Sequence, residues 1–146
     1  DPAIYGPLFA DAETHLLHVV GATDNYTPPI AMATFAGAAD TDLVTPAAPA
    51  FWFDTMTSLG VKAVGAPSAS APLEPNRSVG GRMYARYAIQ HPPCATETNL
   101  CGESQVASPP FDGHFTIYQN QEALLRTLGF LATWLDDGTP QVVAAP

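Results

Sequence analysis

The run His15-Leu-Leu-His-Val-Val20 is apolar at nearly every position and stops at Gly21. A strand with one buried face alternates between apolar and polar residues. A continuous apolar run suits a strand covered on both faces, as in a parallel sheet flanked by helices. Next comes Gly21-Ala-Thr-Asp-Asn-Tyr-Thr-Pro-Pro29, a polar loop closed by two prolines. Residues 30–39 then read as a short helix entered where proline is preset for the first turn. Strand, loop and helix in this order make half a βαβ unit.

Elsewhere the pattern is uneven. Residues 1–14, with Pro2, Gly6 and Pro7, form a lead-in with room for a short helical turn. From about 40 to 81 regular period is lost: Leu43-Val44 suits a brief strand, Phe51-Trp52-Phe53 is a bulky apolar cluster, and 65–81 reads as an exposed connection. Arg82 to Gln90 alternates and predicts one strand with Met83, Ala85, Tyr87 and Ile89 on one face. Residues 91–113 form a long loop, with His91 on its surface. The clearest helix is capped by Asn120, runs from Glu122 to Leu135 and stops before Gly138 and Pro140. Leu124, Leu128, Leu131 and Leu135 line one face of it, and Glu122 with Arg126 forms an i,i+4 pair outside. The predicted fold class is α/β, with mainly parallel strands flanked by helices.

Composition narrows the function. Of the 146 residues, 47% are hydrophobic and only 13% charged, about half the usual charged share, so the chain has the makings of a folded domain. The net charge is −9, and five Lys and Arg residues scattered from 62 to 126 make no basic stripe. Nucleic acid and anionic membrane surfaces are therefore poor partners. No apolar run is long enough to span a bilayer. Cys94 and Cys101 sit in a Pro- and Thr-rich stretch; two thiols alone are too few for a zinc site, and a disulfide closing a short loop fits better, which implies an oxidising compartment. The chain begins at Asp1 without Met, so it is expected to be a mature, clipped or excised piece.

Two residues carry the chemistry. Asp24 stands three residues past the first strand's end, and His114 stands in Phe111-Asp-Gly-His-Phe-Thr-Ile, after the second strand and before the last helix. A nucleophile, an acid and a histidine in that chain order, each on a loop at a strand's C-terminal end, form a hydrolytic triad. The imidazole needs one nitrogen for the serine hydroxyl and a fixed carboxylate on the other. Loops at the ends of neighbouring parallel strands bring such distant residues together.

The segment Gly21-Ala-Thr-Asp-Asn-Tyr-Thr-Pro28 resembles the G-x-x-D-x-Y-x-P stretch around the acid in bacterial secreted esterase or lipase-like α/β-hydrolases. Phe111-Asp-Gly-His-Phe and the helix after it are similar to the D-G-H-F motif of the same group, and Asp1-Pro-Ala-Ile-Tyr5 resembles the lead-in to its acid strand. The resemblance implies that Asp24 is the triad acid and His114 the general base and acid. It implies small-molecule or lipid esters as substrates, no cofactor or metal, and a secreted or cell-envelope location.

No Gly-x-Ser-x-Gly elbow occurs, so the serine and the oxyanion hole are expected in an upstream polypeptide that acts as partner. Residues 1–146 would then be the C-terminal segment of the hydrolase domain. The 90 residues from Asp24 to His114 exceed the usual family spacing and imply an insertion at about 40–105.

Other readings are open. The chain could be a non-catalytic binding or assembly module derived from a hydrolase half, or an extracellular structural domain in which Asp24 and His114 lie far apart. His15 and His18 should point to opposite faces of the strand, with His18 a satisfied core residue. Phe51, Trp52, Phe53 and Trp134 are assigned to core packing rather than an acyl pocket, and Tyr26 is a candidate border of the site.

Overall fold

The computed structural model describes residues 2–21, 24, 27–45, 50–91, 117 and 120–144. A 3₁₀ turn (Pro2–Tyr5) leads into α1 (Gly6–Asp11), β1 (Leu16–Gly21), α2 (Pro29–Ala38), β2 (Asp42–Val44), α3 (Ala50–Ser58) and β3 (Ala63–Val64). Then come β4 (Arg77–Val79), β5 (Arg82–Tyr84), β6 (Arg86–His91) and α4 (Gln121–Asp137). The main sheet has the order β1-β6-β2-β3, every pair parallel, and β4 with β5 forms a small antiparallel hairpin. The chain is therefore mixed α/β with a parallel sheet, as the apolar run at 15–20 and the helix after it suggested.

Strand pleating sorts the side chains into two cores. One face gathers Val20, Leu43 and Ala88 under Met32, Ala33 and Ala36 of α2 and Met56 of α3. The other gathers Val44, Tyr87 and Ile89 with Ala85 under Phe130 of α4 and Val142 of the C-terminal tail. Helices on both faces explain why β1 and β6 carry so little polar alternation.

The polar interactions concentrate at the N-terminal end of the sheet. Buried Asp42 accepts from Arg77 at 2.6 Å and from Asn76 at 2.9 Å, and Arg77 also reaches Asp40 at 2.7 Å. Asn76 clamps the backbone of Arg86 by accepting from its N–H and donating to its carbonyl. The Arg86 side chain is fully buried and donates to the carbonyls of Ala10, Ala12 and Thr14. It thereby caps the C-terminal end of α1, where carbonyls lack intrahelical partners and a cation is favoured. Gly6 lets α1 lie close on α2, because a Cβ there would come within 2.5 Å of the Ala38 Cβ.

Two expectations about the strands are corrected. The run 82–90 is two strands in different sheets: the chain breaks at Ala85, leaving Met83 about half exposed while Tyr87 and Ile89 are core. The connection 65–81 contains β4 and a bridge from Leu73 to Val142, so the region beyond 40 supplies part of the architecture. In α4 the Asn120 cap, the left-handed Gly138 terminus and the Glu122–Arg126 pair all form.

The helix nevertheless turns Ala123 and Phe130 to the sheet, while Leu128, Leu131, Trp134 and Leu135 are 51%, 45%, 50% and 76% exposed. The returning tail enforces this orientation. Val143 packs where a Cβ on Gly129 would lie, 2.3 Å from its Cγ2, so the small-residue side of α4 faces inward. The side chains of Phe51, Trp52 and Phe53 lie outside the described residues, as do Cys94 and Cys101.

Arg86→Met should lower stability by about 3–5 kcal/mol, since three carbonyls at the end of α1 lose a buried charged donor. Arg86→Lys should recover only part, because an ammonium lacks the guanidinium fork. Urea denaturation monitored by circular dichroism checks both, and a loss below about 1 kcal/mol for Arg86→Met would contradict the capping role.

Candidate functional site at the C-terminal end of the sheet

β1 and β6 end level with one another, Gly21 opposite His91. Ligands of open α/β sheets bind outside the carboxyl ends of parallel strands, where the connecting loops meet. Asp24 lies there, half-buried, three residues past β1. Its Oδ1 accepts the backbone N–H of Thr27 at 2.9 Å, a local turn that leads the chain into α2. His114 and Tyr26 lie outside the described residues. Asp24 is therefore placed, and its expected contact with His114 falls outside what is described.

His91, expected on a loop surface, is instead the last residue of β6 and is 2% exposed. Its Nε2 is buried and has no hydrogen-bond partner among the described residues. Burial pushes its pKa down to about 4, with Glu122 opposing and Arg126 reinforcing the shift. The Arg126 Nε is also enclosed without a partner among the described residues, although its Nη2 holds Glu122 at 2.5 Å. The alternation from Tyr87 through Ile89 predicts an inward His91 if continued one step; the Pro92-Pro93 pair masked it by looking like a loop boundary.

His18 packs edge-on against Phe35, ring centroids 5.0 Å apart at 84°. Its Nδ1 is enclosed and has no hydrogen-bond partner among the described residues, whereas a satisfied histidine was expected. Burial lowers its pKa to about 4. His15 behaves differently: it precedes β1, and its Nδ1 accepts from the Ala85 N–H at 3.0 Å, a structural role.

Two hollows flank β1. One, of about 290 Å³, lies against α2 and is lined by His18, Val19, Asp24, Thr27, Ala31, Met32 and Phe35. The other, about 390 Å³, is lined by Leu16, Leu17, His18 and Val19 together with Ile117 and by Phe130 and Leu131 of α4. Leu16 and His18 belong to one face of β1 and Leu17 and Val19 to the other, so this groove wraps the strand's edge. Among the described residues β1 has a strand neighbour on one side only. Ile117, three residues past His114, lies in the same groove. Among the described residues no cluster of three or more His, Cys, Asp or Glu side chains is placed to hold a metal ion, and no helix is long and apolar enough to cross a membrane.

No protein-family model matches the chain, and neither does any curated protein or solved structure.

Both buried imidazoles titrate below the ~6.5 of a free histidine, so the unfolded chain binds more protons than the folded one between about pH 6.5 and 4. The stability gained by keeping them neutral is complete above that window and is lost as pH falls through it. The urea midpoint should therefore drop between pH 7 and 5, and His91→Gln should drop less over the same interval. Equal losses in both proteins would contradict a buried neutral His91.

Proposed function

We propose that this chain is the C-terminal segment of a secreted serine hydrolase acting on carboxylic esters, with Asp24 as triad acid and His114 as general base and acid. The observation that carries the reading is the level ending of β1 and β6, with Asp24 just beyond the first and the His114 segment following the second. Neighbouring parallel strands deliver an acid and a histidine to one edge of a sheet in this way. The approach of Ile117 to β1 supports the same arrangement.

In this mechanism an upstream polypeptide supplies the serine and the backbone N–H groups of the oxyanion hole. His114 takes the serine proton as the hydroxyl attacks the ester carbonyl, then returns it to the departing alcohol. Asp24 fixes the imidazole and stabilises its positive charge; its anchoring by the Thr27 N–H suits it to that task, since a held carboxylate needs no reorganisation during the reaction. Water enters by the same general-base step to release the acid.

The lack of a nucleophile elbow calls for the partner, and two surfaces suit it. β1 has apolar side chains on both faces yet is an edge strand among the described residues, whereas natural edge strands are short, charged or covered. The leucine face of α4 is exposed beside it. Both are what a hydrolase half would leave bare where the preceding strand and helix pack.

The isolated chain should be inert toward p-nitrophenyl esters and become active when co-expressed with an upstream polypeptide bearing Gly-x-Ser-x-Gly. In that complex Asp24→Ala and His114→Ala should each lower kcat by about 10³-fold or more. Turnover by the isolated chain, or a complex indifferent to His114→Ala, would sink the reading.

A further inference from the structure

The hollow between β1 and α2 has the makings of a ligand site in its own right. Its volume of about 290 Å³ is roughly twice the ~150 Å³ of a cavity that admits benzene, so it has room for a molecule of about ten non-hydrogen atoms. Ala31, Met32 and Phe35 of α2 give it an apolar wall, and His18, Asp24 and Thr27 give it a few polar groups at the carboxyl end of β1. That mixture of apolar lining and a few placed polar groups is characteristic of small-molecule pockets.

The wall is also preorganised. Phe35 is held edge-on between Phe9, at 5.6 Å and 77°, and His18, at 5.0 Å and 84°. Asp24 is anchored by the Thr27 N–H. Groups already fixed lose little freedom when a ligand arrives.

The polar groups select the ligand's charge and hydrogen-bonding sense. A carboxylate only accepts hydrogen bonds, so the complementary group is a donor. A second anion beside Asp24 would be repelled, in a chain whose net charge is already −9. An ammonium would have to shed its water against three apolar side chains of α2, beside a carboxylate already engaged by the Thr27 N–H. An uncharged hydroxyl avoids both costs.

We propose that the pocket between β1 and α2 binds an uncharged alcohol with an apolar body of about ten non-hydrogen atoms, the hydroxyl donating to an acceptor on the wall formed by Asp24, His18 and Thr27. Asp24 is shared with the proposed triad, but binding is read without turnover, so this proposal and the hydrolase reading fail separately.

The test is a titration of the isotope-labelled chain with 3-phenylpropan-1-ol, 3-phenylpropanoate and 3-phenylpropylamine, following the methyl signals of Met32 and Ala31. The alcohol should shift these signals saturably with Kd of about 1 mM or tighter, and both ions should bind at least tenfold more weakly. Ala31→Leu, which narrows the pocket without touching its polar groups, should weaken the alcohol at least tenfold. Should that variant not fold, the comparison of the three ligands on the unmodified chain decides alone. Absence of saturation, equal binding of either ion, or shifts confined to the exposed leucines of α4 would overturn the proposal.

Discussion

Arg86 is the constraint on which the arrangement of the chain depends. Its backbone is clamped by Asn76 at the start of β6, and its guanidinium, taken fully out of water, is satisfied by three carbonyls at and beyond the end of α1. A cation in that position makes its burial tolerable only while those carbonyls stay where they are. The lead-in, the central strand and the start of β1 are consequently held as one unit. Removing any of the three would leave either an unpaired buried charge or unpaired carbonyls, which is why a residue so far from the candidate chemistry governs the register that aligns Gly21 with His91.

The two ends of the sheet divide the work. At the N-terminal end Asp42, Arg77, Asn76 and Arg86 satisfy one another and the backbone. At the C-terminal end the buried polar atoms are less well served: the His91 Nε2 is unpartnered among the described residues, as are the Gln90 Oε1 and, further back, the His18 Nδ1. Asp24 and both hollows along β1 lie toward that end or on the strand's open edge.

How much of this was legible in the sequence follows from what each signal reports. The apolar run at 15–20, the proline-led helix after it and the capped final helix were readable because local pattern and cap chemistry specify them directly. The break at Ala85 was not, since alternation runs through it unbroken and only the pairing of Arg82–Tyr84 with Arg77–Val79 separates the two strands. The exposed leucine stripe of α4 inverted the amphipathic reading because periodicity identifies an apolar face but not what covers it. The position of Asp24 just past β1 was readable because the apolar run stops at Gly21. His91 was missed because the prolines that follow it suggest a loop, and the packing of His18 against Phe35 is invisible without neighbours.

The central claim is that Asp24 and His114 form one catalytic unit. A crystal structure of this chain together with the polypeptide that supplies the serine tests it most directly. The account predicts a carboxylate oxygen of Asp24 within about 2.6–3.2 Å of Nδ1 of His114, with the other ring nitrogen turned toward the serine hydroxyl. Asp24 confined to its turn with Thr27, and His114 at the opposite end of the sheet, would contradict it.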